Sequence, residues 1–128
     1  MISLPHAVRV FLHTPATDLR KGFDALSGLV TSAFAQDPTS GHLFLFVNRR
    51  RDRLKILYWD RDGLAIWYKR LETGSFQLPE ISRNAVSIEM SPTQLTLILS
   101  GIDLRSARQR KRYQRPIQSA HKSTSIPL

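Results

Sequence analysis

The sequence predicts a single α+β domain over residues 1–104: a mostly antiparallel sheet with a central three-strand meander, one long amphipathic helix packed on it and a short C-terminal helix. Three observations predict it. Residues 41–71 hold three short apolar and β-branched runs separated by two polar turns. Residues 19–34 place Leu19, Phe23, Leu26, Val30 and Phe34 at intervals of three and four. Ser91-Pro92 followed by Leu95, Ile98 and Leu99 reads as a capped helix start.

Taken in order, Val8-Arg9-Val10-Phe11-Leu12 lies between Pro5 and Pro15 and reads as a first strand. Thr17 and Asp18 offer N-cap oxygens to the long helix, whose other side carries Arg20, Lys21 and Asp24. Asp37-Pro38-Thr39-Ser40-Gly41 ends it. The three strands follow, with Arg49-Arg50-Arg51 at the first turn and Asp60-Arg61-Asp62-Gly63 at the second.

Asp at the first turn position and Gly at the last favour a type I turn with a glycine bulge, which sets Asp60 opposite Leu64. One face then pairs Tyr58 with Ile66 and Ile56 with Tyr68; the other pairs Trp59 with Ala65, Leu57 with Trp67 and Lys55 with Lys69. A two-residue loop would redistribute these pairs. Glu72 to Ala85 reads as an irregular connection, Val86 to Met90 as a half-exposed strand, and Gly101 as the cap of the last helix.

The chain has 128 residues and a formal net charge of +9, which favours polyanions as partners without bearing on fold. Seven of its 19 Lys and Arg residues and none of its ten acids fall in residues 105–128, leaving +2 for residues 1–104. Such a segment buries too little apolar surface to offset its ordering entropy and reads as a disordered basic tail, with Arg108, Arg110, Lys111 and Arg112 as its densest cluster. No cysteine is present, so disulfides and thiolate metal sites are excluded. No secretory signal or membrane-length apolar run is visible, so a cytoplasmic protein with no membrane partner is expected.

Arg49, Arg50, Arg51 and Arg53 are the leading functional candidates, because guanidinium forks pair bidentately with phosphate oxygens. Their plain alternative is a solvated hairpin tip. Lys55 opposite Lys69 adds to the case, since like charges directly paired in a sheet call for an anion. Trp59 and Trp67 on that same face could stack bases, although core packing is the ordinary role of tryptophan.

Asp18, Asp24, Asp60, Asp62, Glu89 and Asp103 are the carboxylates to weigh for a metal-dependent nuclease, but capping, turn and solvated-face roles account for Asp18, Asp24, Asp60 and Asp62. His6, His13, His42 and His121 lack the spacing of a zinc site. No nucleophile elbow or phosphate-binding loop motif occurs, and neither enzyme activity nor a cofactor is expected.

The blocks TDLRKGFDAL (17–26), SGHLFLF (40–46), RRDRLKILYWDRDGLAIWYKRLETGSF (50–76) and SPTQLTLILSGIDL (91–104) stand in an order that resembles the accessory TnpB protein, the second open reading frame of bacterial insertion sequences of the IS66 type. The resemblance covers roughly residues 8–104. It implies a small protein encoded beside a separate DDE-type transposase and needed with it for transposition, and it supplies no catalytic residues. The large RNA-guided nucleases that share the name are a different family. The expected function is a non-catalytic accessory factor that binds DNA through the arginine turn and the tail. The rival is a protein-interaction subunit whose basic patch docks the transposase or a second copy of the chain.

Overall fold

The computed structural model describes residues 8–80 and 84–101. The basic tail, Asp103, His6 and His121 lie outside the described residues. Five strands and two helices follow the chain as β1 (Val10–His13), α1 (Phe23–Phe34), β2 (Leu43–Val47), β3 (Arg53–Asp60), β4 (Gly63–Arg70), β5 (Ser87–Met90) and α2 (Pro92–Ser100). They form one sheet in the order β4-β3-β2-β1-β5, antiparallel except for the β1–β2 pair. That parallel pair follows from α1, because parallel neighbours require a crossover, and the helix supplies it.

β2 is the centre of the sheet; β3 and β4 run outward from it to one edge. Strand alternation divides the core into two layers. Phe11, Phe44, Phe46 and Leu57 meet Leu26, Val30 and Phe34 of α1 on one face. Val10, Leu12, Leu45, Val47, Leu54 and Ile56 meet Leu95 and Ile98 of α2 on the other, together with Leu71, Phe76 and Leu78. The connection after β4 therefore contributes core residues that its Gly and Pro content concealed.

Two expectations need correction. The helix begins at Phe23 with Gly22 as its N-cap, not at Thr17 or Asp18. Asp18 instead accepts the Arg20 amide (3.0 Å) and pairs with the Arg20 guanidinium (2.7 Å), a local turn that competes with helix initiation. Thr17 is buried and Leu19 packs into the α1 layer from that turn, while Phe23 is 48% exposed and leaves the apolar face. Arg20 and Lys21 accordingly precede the helix.

The second correction concerns register. The β3–β4 hairpin has a two-residue loop, with Asp60 opposite Gly63 and Arg61 at φ 58°. Every pair is shifted by one: Trp59 faces Leu64, Leu57 faces Ile66, Lys55 faces Tyr68 and Leu54 faces Lys69. A one-residue slip turns each side chain of one strand to the opposite face. Lys55 and Lys69 consequently lie on opposite faces, and so do Trp59 and Trp67. The Trp59 indole donates to the Arg61 carbonyl (3.0 Å) and closes the loop.

At the other end of the domain the expected signals hold. The Ser91 hydroxyl accepts the Gln94 amide, the Gln94 side-chain oxygen accepts the Ser91 amide in return, and Gly101 ends α2 at φ 83°. The αL backbone there suits a residue without a Cβ.

His13 packs between Phe34 and Phe46, with ring centroids 5.8 and 5.7 Å away. Burial holds its imidazole below the ordinary 6.5, an effect partly opposed by the Val86 carbonyl. In the window between that lowered value and 6.5 the unfolded chain binds more protons than the folded one, so stability falls as pH falls below about 6.5. The urea midpoint is expected to drop between about pH 7.5 and pH 5, and His13→Phe to lessen the drop. An equal drop in both proteins would refute this.

Candidate nucleic-acid interface

The β2–β3 turn is held by one side chain. Asn48 Oδ1 accepts the amides of Asp52 (3.1 Å) and Arg53 (3.0 Å), and its Nδ2 donates to Asp52 Oδ1 (2.7 Å). Its backbone carbonyl accepts the Arg51 amide (3.0 Å), and Arg51 sits at φ 59°, a left-handed conformation at a non-glycine residue. Farther along, the Asp52 carbonyl accepts Leu71 N–H and the Arg51 carbonyl accepts Phe76 N–H, each at 2.7 Å. The arginine turn is thus tied on both sides rather than projecting freely.

Beside it lies a cleft of about 560 Å³, formed where the turn meets residues 16–20 at the entrance to α1. Arg20, Arg49, Arg50 and Arg53 line it with Asn48, Asp18, Asp52 and Tyr68. A second depression of about 380 Å³ continues from it, sharing Arg53 and Tyr68 and adding Arg70 and Glu72. Arg51 is exposed on the same turn but does not line the cleft.

The charges on this surface are not equivalent. Arg20 is engaged by Asp18, whose carboxyl is held well below its usual range chiefly by that hydrogen bond. Arg70 is engaged by Glu72 (2.8 Å). Arg49, Arg50 and Arg53 make no ion pair among the described residues. Arg53 also stands directly opposite Arg70 across the β3–β4 ladder. Like charges so placed destabilise a sheet unless an anion intervenes. Glu72 serves Arg70 in this way, and among the described residues Arg53 has no counterpart.

The like-charge argument expected at Lys55 and Lys69 therefore belongs to Arg53 and Arg70. Lys55 points to the cleft side, where its Nζ donates to the Lys21 carbonyl (2.9 Å) and lies 4.8 Å from the Tyr68 ring centroid. Lys69 is on the opposite face, away from the cleft. Arg20, Arg70 and Tyr68 are site residues that sequence reasoning missed. The available signal was the alternative of a two-residue loop, which brings Arg53, Lys55, Tyr68 and Arg70 to one face, although the loop that forms is Arg61-Asp62 and not Asp62-Gly63.

The remaining candidates have structural roles in the fold. Glu89 pairs with Arg9 (2.6 Å), Asp60 and Asp62 belong to the hairpin loop, and Asp24 is exposed in the first turn of α1. His42 Nδ1 accepts the Arg9 amide (3.0 Å). Among the described residues no three His, Asp or Glu side chains gather where they could hold a metal ion. No described helix is long and apolar enough to cross a membrane.

Asn48→Ala removes the three hydrogen bonds that shape the turn. The expected result is a loss of about 1–2 kcal/mol in urea unfolding, because the Asp52 and Arg53 amides lose their shared acceptor. Unchanged stability would mean that the turn is held by its backbone contacts alone.

A small α+β protein with a braced cationic turn at the mouth of a cleft is the class that fold and site define. The family described as IS66 Orf2 like protein matches residues 8–109, and the chain belongs to that family of insertion-sequence accessory proteins. The chain is also 36% identical over 120 residues to the uncharacterized protein y4jC of Sinorhizobium fredii (strain NBRC 101917 / NGR234), covering 94% of this chain and 100% of that protein. It is 40% identical over 98 residues to the uncharacterized protein y4hO of the same organism, covering 77% and 84%. No solved structure matches.

Proposed function

We propose that this protein is a non-catalytic, cytoplasmic accessory factor for transposition of an insertion sequence, acting beside a DDE-type transposase and contacting the DNA backbone through the cleft at the arginine turn. The observation that carries the reading is the Arg49, Arg50 and Arg53 set: three guanidinium groups without ion pairs among the described residues, one of them facing a like charge across the sheet. A phosphate supplies the missing anion, and a row of phosphates supplies one for each arginine. The tail arginines extend the same affinity without sequence discrimination.

The test is titration of duplex DNA with the full chain at several salt concentrations, without magnesium. Log affinity is expected to fall linearly with log salt. Absence of binding at low salt would overturn the reading. Magnesium-dependent nicking abolished by Asp60→Asn would instead make the protein an enzyme.

A second reading is favoured by Asp18, Asp52 and Glu72, which are interleaved with the cations and give the surface charges of both signs, which a protein of complementary pattern can match. On that reading the protein is an interaction subunit of the transposase complex with no direct DNA contact. Co-purification with transposase that survives nuclease treatment, together with no DNA binding, would select it.

A further inference from the structure

The two edges of the sheet are unlike. β5 has four residues and carries Glu89, paired with Arg9, so it is short and charged in the way that protects an edge. β4 has eight residues, Gly63–Arg70, and is hydrogen-bonded to β3 alone among the described residues. It contains no proline and no bulge, and its pairing with β3 is unbroken from Gly63 to Arg70. The first six residues, Gly63 to Tyr68, are uncharged. Leu64, Ala65 and Ile66 are half-buried, Trp67 is 39% exposed and Tyr68 is 47% exposed. An open, long and largely apolar edge offers a row of backbone donors and acceptors to another strand.

We infer that β4 is the interface of a homodimer, in which a second copy of this chain adds its own β4 antiparallel and joins two five-stranded sheets into one. The strand is complementary to itself. With Ile66 opposite Ile66 of the second copy, Leu64 meets Tyr68 and Asp62 meets Arg70, each contact occurring twice by symmetry. Charge selects this register: moving the centre to Trp67 sets Arg70 opposite Leu64 and leaves Asp62 facing no cation. Arg70 engages Glu72 with one side of its guanidinium and retains donors for Asp62. A two-fold axis normal to the sheet keeps both α1 faces on the same side, so the two arginine clefts share one surface of the dimer. The dimer does not depend on what those clefts bind.

The experiment uses the full chain, freed of nucleic acid by nuclease and studied at moderate salt, where an exposed ion pair is not fully screened. Sedimentation equilibrium is expected to give a dimer in the micromolar range. Asp62→Arg and Arg70→Asp are each expected to weaken it roughly tenfold, and the double exchange to restore it. The chain has no cysteine, so Ile66→Cys introduces a unique thiol. Directly opposed residues stand about 4.5–5.5 Å apart between Cα atoms, within the range of about 4.4–6.8 Å that a disulfide spans. Oxidation of that variant is expected to give a covalent dimer, and oxidation of Thr96→Cys on α2 to give none. A chain that sediments as a monomer, a dimer indifferent to both charge changes, or equal crosslinking at residues 66 and 96 would each overturn the assignment.

Discussion

Replacing Arg49, Arg50 and Arg53 together by alanine is expected to remove about three phosphate contacts and flatten the slope of log affinity against log salt by up to about 2.7. Between about 50 and 200 mM salt the wild-type affinity should consequently fall roughly forty-fold more than that of the triple variant. The effect is expected to be this large because none of the three is committed to an acid among the described residues. Arg20→Ala is expected to do less, since Asp18 already holds that guanidinium at 2.7 Å. Salt titration by fluorescence anisotropy measures both. An unchanged slope in the triple variant would remove the turn from the DNA interface, even if the tail still bound.

Phe44→Ala is expected to cost about 3–5 kcal/mol, a large part of the roughly 5–15 kcal/mol that stabilises a typical domain. Phe44 is fully buried on the central strand, paired in register with Phe11 and Leu57. Its ring stacks on Phe11 at 5.6 Å and meets Phe34 of α1 at 5.3 Å. Truncation opens a cavity where the crossover helix rests on the sheet, and the central strand, hydrogen-bonded on both sides, cannot move in to fill it without breaking its ladder. Urea unfolding measures the loss. A cost below about 1.5 kcal/mol would mean that the α1 layer repacks around the site.

Much of the architecture was legible because it depends on local chemistry. Ser91, Pro92, Gln94 and Gly101 mark both ends of α2 by capping and by a left-handed backbone, and neither needs a distant partner. The apolar runs at 43–47 and 53–60 announce strands through composition and length. The start of α1 was misread for the same kind of reason. Asp18 is a sound N-cap in isolation, but its carboxylate is taken by Arg20 two residues on.

The candidate site was legible in its residue types and not in its geometry. Arg49, Arg50 and Arg53 stood out as a cluster, and they do line one cleft. Arg20, Arg70 and Tyr68 were hidden because they reach it from other segments. Lys69 was grouped with Lys55 on one face, and the structure separates them, because its face depends on whether the hairpin loop has two residues or more.

By itself, then, the sequence determined the family, the α+β class, the caps of α2 and the concentration of positive charge at one turn, all of which rest on contacts between near neighbours or on the order of motifs. Only the tertiary structure decided which cations share a face, that Arg53 opposes Arg70, that residues 71–78 complete the core, and that β4 is left as the long open edge. The physical reason is the two-residue period of a strand: a single step in register exchanges its faces while leaving every local preference satisfied.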